Sequence, residues 1–362
     1  MTVANPSPPD TVGLKPRFLD RWIVSPRYDL CFFIGSCSLT FAFWGLYRLT
    51  QQTYSWHLDS ILLTYFVFTA FFDHPHIFQT FSRTHFDAIE FKQRRLIHTW
   101  GLLGLIMLGF VVIGLGREAE LIVFASVLGS YHIIRQHYGL LKAYKNLNRD
   151  RQRIDDWLDF GLFHTGMYAC FFYDYTDIEN PIVIYGSLQS AFPDLPPIVG
   201  DVTWHLFQIC LVLFIVRQFQ RLWQGRSLNL PKLLFLAAVL STHYFIFFAT
   251  ATPFLVAEAL ETAYHNVQYQ GWIVHYQNQR FAGMKHIALK WFAVAMLYGL
   301  GVGAIELFGL LDQGWGLWLF VPFTMVVIYH YLVDGLIWKF SRQPELHCVF
   351  AQRSHSTSPN PR

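Results

Sequence analysis

Long apolar stretches separated by short polar connections run through almost the whole chain. Stretches close to the roughly 20 residues that an α-helix needs to cross a hydrocarbon core occur at 30–47, 58–81, 99–114, 121–141, 158–175, 202–216, 233–248, 254–275, 291–308 and 317–338. This pattern predicts an all-α fold, a polytopic transmembrane helical bundle of about ten spans occupying 29–340. The stretches 202–216 and 233–248 are counted as spans, with a tilted or half-buried placement as the alternative for their short length. A polar, Pro-rich N-terminal tail (1–28) lacks the apolar run and small-residue cleavage site of a signal peptide. A polar C-terminal tail (341–362) is expected to be disordered. The acidic connection at 176–201 is read as an amphipathic segment on the membrane surface.

Lysine and arginine test the count independently, because short cytoplasmic loops retain positive charge. Taking alternate connections, one side collects all but three of the 27 basic residues, the exceptions being Arg48, Arg117 and Arg135. Ten spans with both termini cytoplasmic satisfy that alternation, whereas an odd count scrambles it. The net charge of +3 then reflects topology signals. Nucleic-acid binding, which needs a basic face on a folded domain, is not expected. Charged residues make up 14% of the chain against about 25% in soluble domains, too few to cover a water-facing surface. The cysteines contain no Cys-x-x-Cys pair and indicate neither a disulfide framework nor a thiolate metal site.

Of the 16 histidines, His74, His76, His132, His137, His164, His265, His275 and His330 fall inside the expected helices. All but His265 lie in the cytoplasmic half, and His265 lies near the middle, so five spans deliver imidazole to nearly one level. Asp73, Arg135 and Asp334 share that level, with Glu258 and Glu261 further toward the opposite side. Ionisable groups at such depth are costly and turn inward, where they pair, bind a cofactor or line a path. The eight histidines are candidate metal ligands; Asp73, Arg135, Glu258, Glu261 and Asp334 are candidate catalytic and charge-network groups. Arg135 is expected to sit beside one of the acids. A lone buried histidine is more often a packing residue, and it is the convergence of five helices that favours a metal here.

Helical geometry refines the set. At 100° per residue, Glu258, Glu261, His265, Gln268, Trp272 and His275 fall within an arc of about 100°, a polar stripe down an otherwise apolar helix. On 121–141, His132, Arg135, Gln136 and Gly139 share a face and His137 projects about 140° away, so both histidines cannot ligate one metal on a regular helix. Pro75 in Asp73-His-Pro-His76 is expected to break its helix. His330 and Asp334, at i and i+4, suit a ligand and the acid that orients it.

Imidazole-rich sites with open coordination positions suit Fe(II) oxygen chemistry. The order of Pro75-His76, His137-Tyr-Gly139, His164-Thr-Gly166, His265-Asn-Val-Gln-Tyr269 and His330-Tyr-Leu-Val-Asp334 resembles the bacterial Brp/Blh-type β-carotene dioxygenases, integral membrane proteins that cleave β-carotene with a histidine-bound iron. The resemblance spans Asp73 to Lys339. It implies iron held by His76, His137 and His265 and residence in a bacterial inner membrane; the Fe(II) oxygen chemistry of such a membrane site leads to the expectation of a lipophilic carotenoid, isoprenoid or acyl substrate entering from the membrane lipids. Tyr269 stands where the family pairs its histidine, leaving His275 or His330 to complete a four-nitrogen site, and the acid after the first motif is missing. A related fold with a different substrate is therefore expected, with the need for an electron donor open.

Three other readings compete. Haem ligation by histidines of facing helices needs no fixed spacing. A di-iron desaturase or hydroxylase acting on acyl chains is a second enzymatic reading, but such enzymes carry histidine boxes with adjacent His-His pairs, which this chain lacks. A proton-coupled transporter would use the Asp, Glu, His and Arg groups as a relay, yet no inverted repeat is visible and most polar groups lie in one half.

Overall fold

A computed structural model describes residues 18–52, 59–176, 180–192, 195–339 and 346. The described residues form helices α1 (Pro26–Gln52) and α2 (Ser60–Thr84), a short α3 (Ala88–Gln93), α4 (Ile97–Gly114), α5 (Glu118–Leu147) and α6 (Arg153–Thr176). They continue with α7 (Pro197–Trp223), α8 (Leu230–Ala249), α9 (Phe254–Arg280), α10 (Ile287–Asp312) and α11 (Trp315–Ile337). Seven of these, α1, α2, α4, α7, α8, α10 and α11, are long and apolar enough to cross a membrane. Helices α5, α6 and α9 are comparably long, at 30, 24 and 27 residues, but are too polar to count by that measure. The reason is visible in the packing: their polar residues, such as His132, Asp159 and Gln268, are buried against other helices. Hydropathy therefore supports seven spans where run length alone counts ten.

Helix α9 is the axis of the bundle, touching α1, α2, α5, α8 and α10. Helix α11 packs on α2, α4, α5 and α10, and α6 runs along α7. The outer faces of α4 and α7 are apolar and exposed, with Leu103, Met107, Val111, Ile209, Val212 and Val216 among the uncovered side chains, as a lipid-facing surface requires.

Four short strands depart from a purely helical chain. Strands β1 (Phe18–Leu19) and β4 (Leu228–Asn229) pair in parallel, and β2 (Ile182–Tyr185) and β3 (Leu188–Ser190) form an antiparallel hairpin turning through Gly186 at φ 58°. This hairpin replaces the surface amphipathic segment expected at 176–201. Its Ile184 and Leu188, with Phe192, pack against Leu62, Leu255 and Leu310, because the loop has apolar side chains to bury and a helical gap to fill. Part of the expected free tail at 1–28 is likewise fastened. The Asp29 carboxylate accepts the N–H groups of Ile23 (2.6 Å) and Val24 (2.9 Å) and the Tyr144 hydroxyl (3.1 Å). The Arg21 N–H donates to Asn148 Oδ1 at 3.0 Å. The rest of that tail, 1–17, and the C-terminal tail apart from the buried Leu346 lie outside the described residues.

The basic connections meet at one end of the bundle, where much of their charge is paired and buried. Lys232 at the start of α8 bonds Asp150 (2.7 Å) and Asp159 (3.0 Å), Arg221 of α7 bonds Asp150 (2.7 Å) and Asp155 (3.0 Å), and Lys145 of α5 bonds Asp159 as well. A shared carboxylate between two buried lysines cannot be removed cheaply, since it leaves both ammonium groups uncompensated. Asp159→Asn should destabilise the detergent-solubilised protein by about 3 kcal/mol, measured by chemical unfolding. Burial opposes ionisation of Asp150, but Lys232 and Arg221 outweigh it and lower the carboxyl to about 2. Because that lies below the unfolded value of about 3.9, this contribution is complete above about pH 4 and is lost as pH falls through about 2. A thermal midpoint level near neutral pH that drops on acidification below about pH 4 checks the sign.

Candidate metal centre

The path to the centre starts in α2. Thr69–Asp73 forms a π-turn, and Pro75 follows at the start of the next regular stretch. Proline lacks the N–H that would close the preceding turn, and widening the helix by one residue absorbs that loss. The expected break at Asp73-His-Pro-His76 is therefore a π-turn inside a helix that continues to Thr84. Helix α10 presses on it through two glycines. A Cβ on Gly299 would overlap the Ala70 carbonyl oxygen and lie 2.6 Å from Pro75 Cδ, and one on Gly303 would lie 3.0 Å from Ala70 Cβ. Such a Gly-x-x-x-Gly approach is available only to residues without side chains.

His76 leaves this turn facing the interior, where four helices each supply one imidazole: His76 from α2, His132 from α5, His265 from α9 and His330 from α11. Ring centroids are 4.6 Å apart for His76 and His330, 4.8 Å for His132 and His330, 5.1 Å for His132 and His265, and 5.4 Å for His76 and His265. One ring nitrogen from each of His76, His132 and His265 lies within 4.8 Å of the others, and the same holds for His132, His330 and a carboxylate oxygen of Asp334. None of the five is more than 7% exposed.

A backbone carbonyl sets the tautomer of His76. His76 Nδ1–H donates to the Asp73 carbonyl at 2.8 Å, which leaves the Nε2 lone pair directed inward. It meets His330 Nε2 at 3.0 Å, about the separation of two adjacent nitrogens bound some 2.1 Å from one metal. On its other side, His330 Nδ1 is 2.5 Å from Thr80 Oγ1. The Tyr269 hydroxyl donates to Asp334 Oδ1 at 3.1 Å, and Asp334 Oδ2 lies 3.9 Å from His132 Nε2. His132 Nε2 and His265 Nδ1 are buried with no hydrogen-bond partner among the described residues. Both nitrogens of His137 and the Gln270 amide share this state, so it is the convergence of the rings that singles out this pair, and a cation held between them would give their lone pairs a partner. The donor set therefore fits a metal, with imidazole nitrogens dominant and one carboxylate to hand.

Other sequence candidates lie elsewhere. His74, two residues and about 200° from His76, turns to α10 and pairs with Glu306 at 2.9 Å. His137, the ligand implied by resemblance, belongs to neither metal-capable group; its ring stacks on Tyr264 at 5.1 Å and 9° and lies 5.8 Å from that of His265. His164 is half-buried among Tyr138 and Phe160, with Nδ1 on the Phe160 carbonyl at 3.0 Å. His275 is about 15 Å further along α9 than His265, too far to complete the site. Asp73 stays at the centre, its carboxylate 3.5 Å from His76 Nδ1 and accepting from Asn266 at 3.2 Å.

The expected buried charge network is not formed. Arg135 is exposed, and among the described residues no carboxylate lies within ion-pair distance of it. Glu258 accepts from Ser126 instead, and Glu261 is buried without a cation partner among the described residues. The acids lie on the far side of His265 and Arg135 on the near side of His132, so axial distance keeps them apart. Thr80 joins the centre at a position that its i+4 spacing from His76 marks on the same helix face. His243, whose Nδ1 meets the Tyr264 hydroxyl at 2.8 Å, and Glu306 are two further buried partners that spacing does not reveal.

A cavity of about 660 Å³ runs from His132, Tyr269 and Asp334 to the basic end of the bundle. Comparisons with protein-family models, curated proteins and solved structures return no match.

The π-turn contact is testable. Gly299→Leu should push α10 from α2, cost about 2 kcal/mol and lower metal retention through displacement of His76. Gly301→Leu on the same helix, where an added Cβ meets nothing within 4 Å, should be silent in both measurements.

Proposed function

We propose that this chain is a membrane-embedded metal enzyme of ten spans with cytoplasmic termini, a non-haem iron oxygenase acting on a lipophilic isoprenoid, carotenoid or acyl substrate in a bacterial inner membrane. One observation carries the reading: four buried imidazoles from four helices converge beside a cavity, and two of them, at His132 Nε2 and His265 Nδ1, have no hydrogen-bond partner among the described residues. Ferrous iron bound by His76, His132, His265 and His330 would supply dioxygen activation, for which neutral nitrogen ligands with open positions are suited.

The chain's own residues perform the remaining work. The Asp73 carbonyl and Thr80 hydroxyl hold the His76 and His330 rings in register, as outer partners of metal-ligating histidines do. The Tyr269–Asp334 hydrogen bond places an exchangeable proton at Asp334 Oδ1, at the inner end of the cavity. Leu140, Trp272 and Trp338 line the cavity with apolar surface, excluding water from a substrate's reacting carbon chain.

A second reading has its own support. The Ser126–Glu258 contact and the Ser130–Tyr175 hydroxyl pair at 3.2 Å lie on the side of His132 away from the cavity, as a proton relay would need.

Metal analysis separates the two. Anaerobically purified protein in iron-replete buffer should contain about one iron per chain and show no haem Soret band. His132→Ala/His265→Ala should lose most of the iron, and His137→Ala should retain it. Absence of metal in the unaltered protein would favour the relay, and loss in His137→Ala alone would favour the ligand set implied by the family resemblance.

A further inference from the structure

Four cations, Arg135, Lys142, Arg151 and Lys339, line the basic-end portion of the cavity. Each is exposed, and no carboxylate lies within ion-pair distance of any of them among the described residues. Arg151 Nε donates only to Asn146 Oδ1 at 3.2 Å, and Lys142 Nζ stands 6.0 Å from the Tyr138 ring centre. The contrast with their surroundings is sharp, since Lys145, Arg217, Arg221 and Lys232 at the same end all meet aspartates. A topology signal needs positive charge near a helix end but does not require it to converge on a cavity.

The remaining wall combines apolar and aromatic side chains, Leu140, Trp272 and Trp338 among them, with the polar Gln136, Asn146 and Gln268. One face of α5 gives the scale. His132, Arg135, Gly139 and Lys142 recur at helical spacing along it, and the rise from His132 to Lys142 is about 15 Å. Gly139 and Gly335 both line this space, and a Cβ on either would meet nothing within 4 Å. The volume of about 660 Å³ suits a single small-molecule ligand.

We propose that this cavity binds an amphiphile whose anionic head, a phosphate or carboxylate, sits among Arg135, Lys142, Arg151 and Lys339, and whose apolar tail points toward His132 and Asp334. As a statement about substrate it rests on the metal-enzyme reading; as a statement about binding it stands without a metal. The anionic head belongs to a chain-bearing molecule, because a free anion would leave Leu140, Trp272 and Trp338 uncovered.

The test uses metal-free full-length protein in nanodiscs of zwitterionic lipid, with tryptophan fluorescence and calorimetry reporting binding. Dodecyl phosphate, dodecanol and inorganic phosphate are the probes. Dodecyl phosphate should bind saturably and at least about tenfold more tightly than dodecanol, as expected for charge-assisted contacts to several cations. Arg135→Gln/Lys142→Gln should weaken it by about tenfold or more, Arg135→Lys alone should retain most of the affinity, and Gly139→Leu should block entry while thermal stability is kept. Equal binding of dodecanol, or indifference to the double variant, would overturn the proposal and leave the cations as topology signals. Inorganic phosphate binding as tightly as dodecyl phosphate would overturn it in favour of a free anion. Because no metal is present, failure of the iron reading leaves these outcomes unchanged, and their failure leaves the metal analysis unchanged.

Discussion

Helix α9 carries Glu258, Glu261, His265, Asn266, Gln268, Gln270 and His275 within one membrane-length segment, and such a helix cannot face hydrocarbon. Each amide or carboxylate left in an apolar medium without a partner costs several kcal/mol. The chain meets this constraint by surrounding α9 with more apolar helices. The enclosure is tight because small residues allow it. A Cβ on Gly271 would lie 2.7 Å from Phe32 Cβ on α1, and Gln268 reaches the Phe33 carbonyl at 2.8 Å. Once α9 is central, the inward-facing groups of α2, α5 and α11 have to meet its polar stripe.

The molecule handles polarity in two ways at two depths. At the basic end, full charges are buried as matched networks, with aspartates shared between lysines and arginines. Deeper in, four imidazoles replace ion pairs, and a neutral imidazole is far cheaper to bury than an ion. Neutral rings bring lone pairs without bringing charge, which makes the layer receptive to a cation.

Between these levels lies the cavity, lined by His132 and Asp334 at its inner end, by Arg135 one turn of helix from His132, and by Lys142, Arg151 and Lys339 toward the basic end, with Lys142 about three turns from His132. The polar face of α5 is therefore neither a lipid-facing stripe nor a conventional core. His132 serves the centre and Arg135 serves the cavity one turn away, so a single helical face links the buried nitrogen cluster to the basic end.

Much of this was legible in the residues. Apolar runs marked the long helices, the depth of the histidines marked a common layer, and the shared face of His132, Arg135 and Gly139 and the His330–Asp334 pair followed from helical spacing alone. These are properties of one helix at a time, set by backbone geometry and the cost of exposing polar groups. Which histidines meet was decided only by the tertiary structure. His132 joins the cluster while His137 stacks on Tyr264, His74 turns to Glu306, and Arg135 opens into a cavity instead of pairing with Glu258. Those outcomes depend on how each helix is rotated and how deeply it sits against its neighbours, and here the π-turn at Thr69–Asp73 and the Gly299 contact set that for α2. Such contacts join residues more than 120 positions apart, and no local periodicity along the chain encodes them.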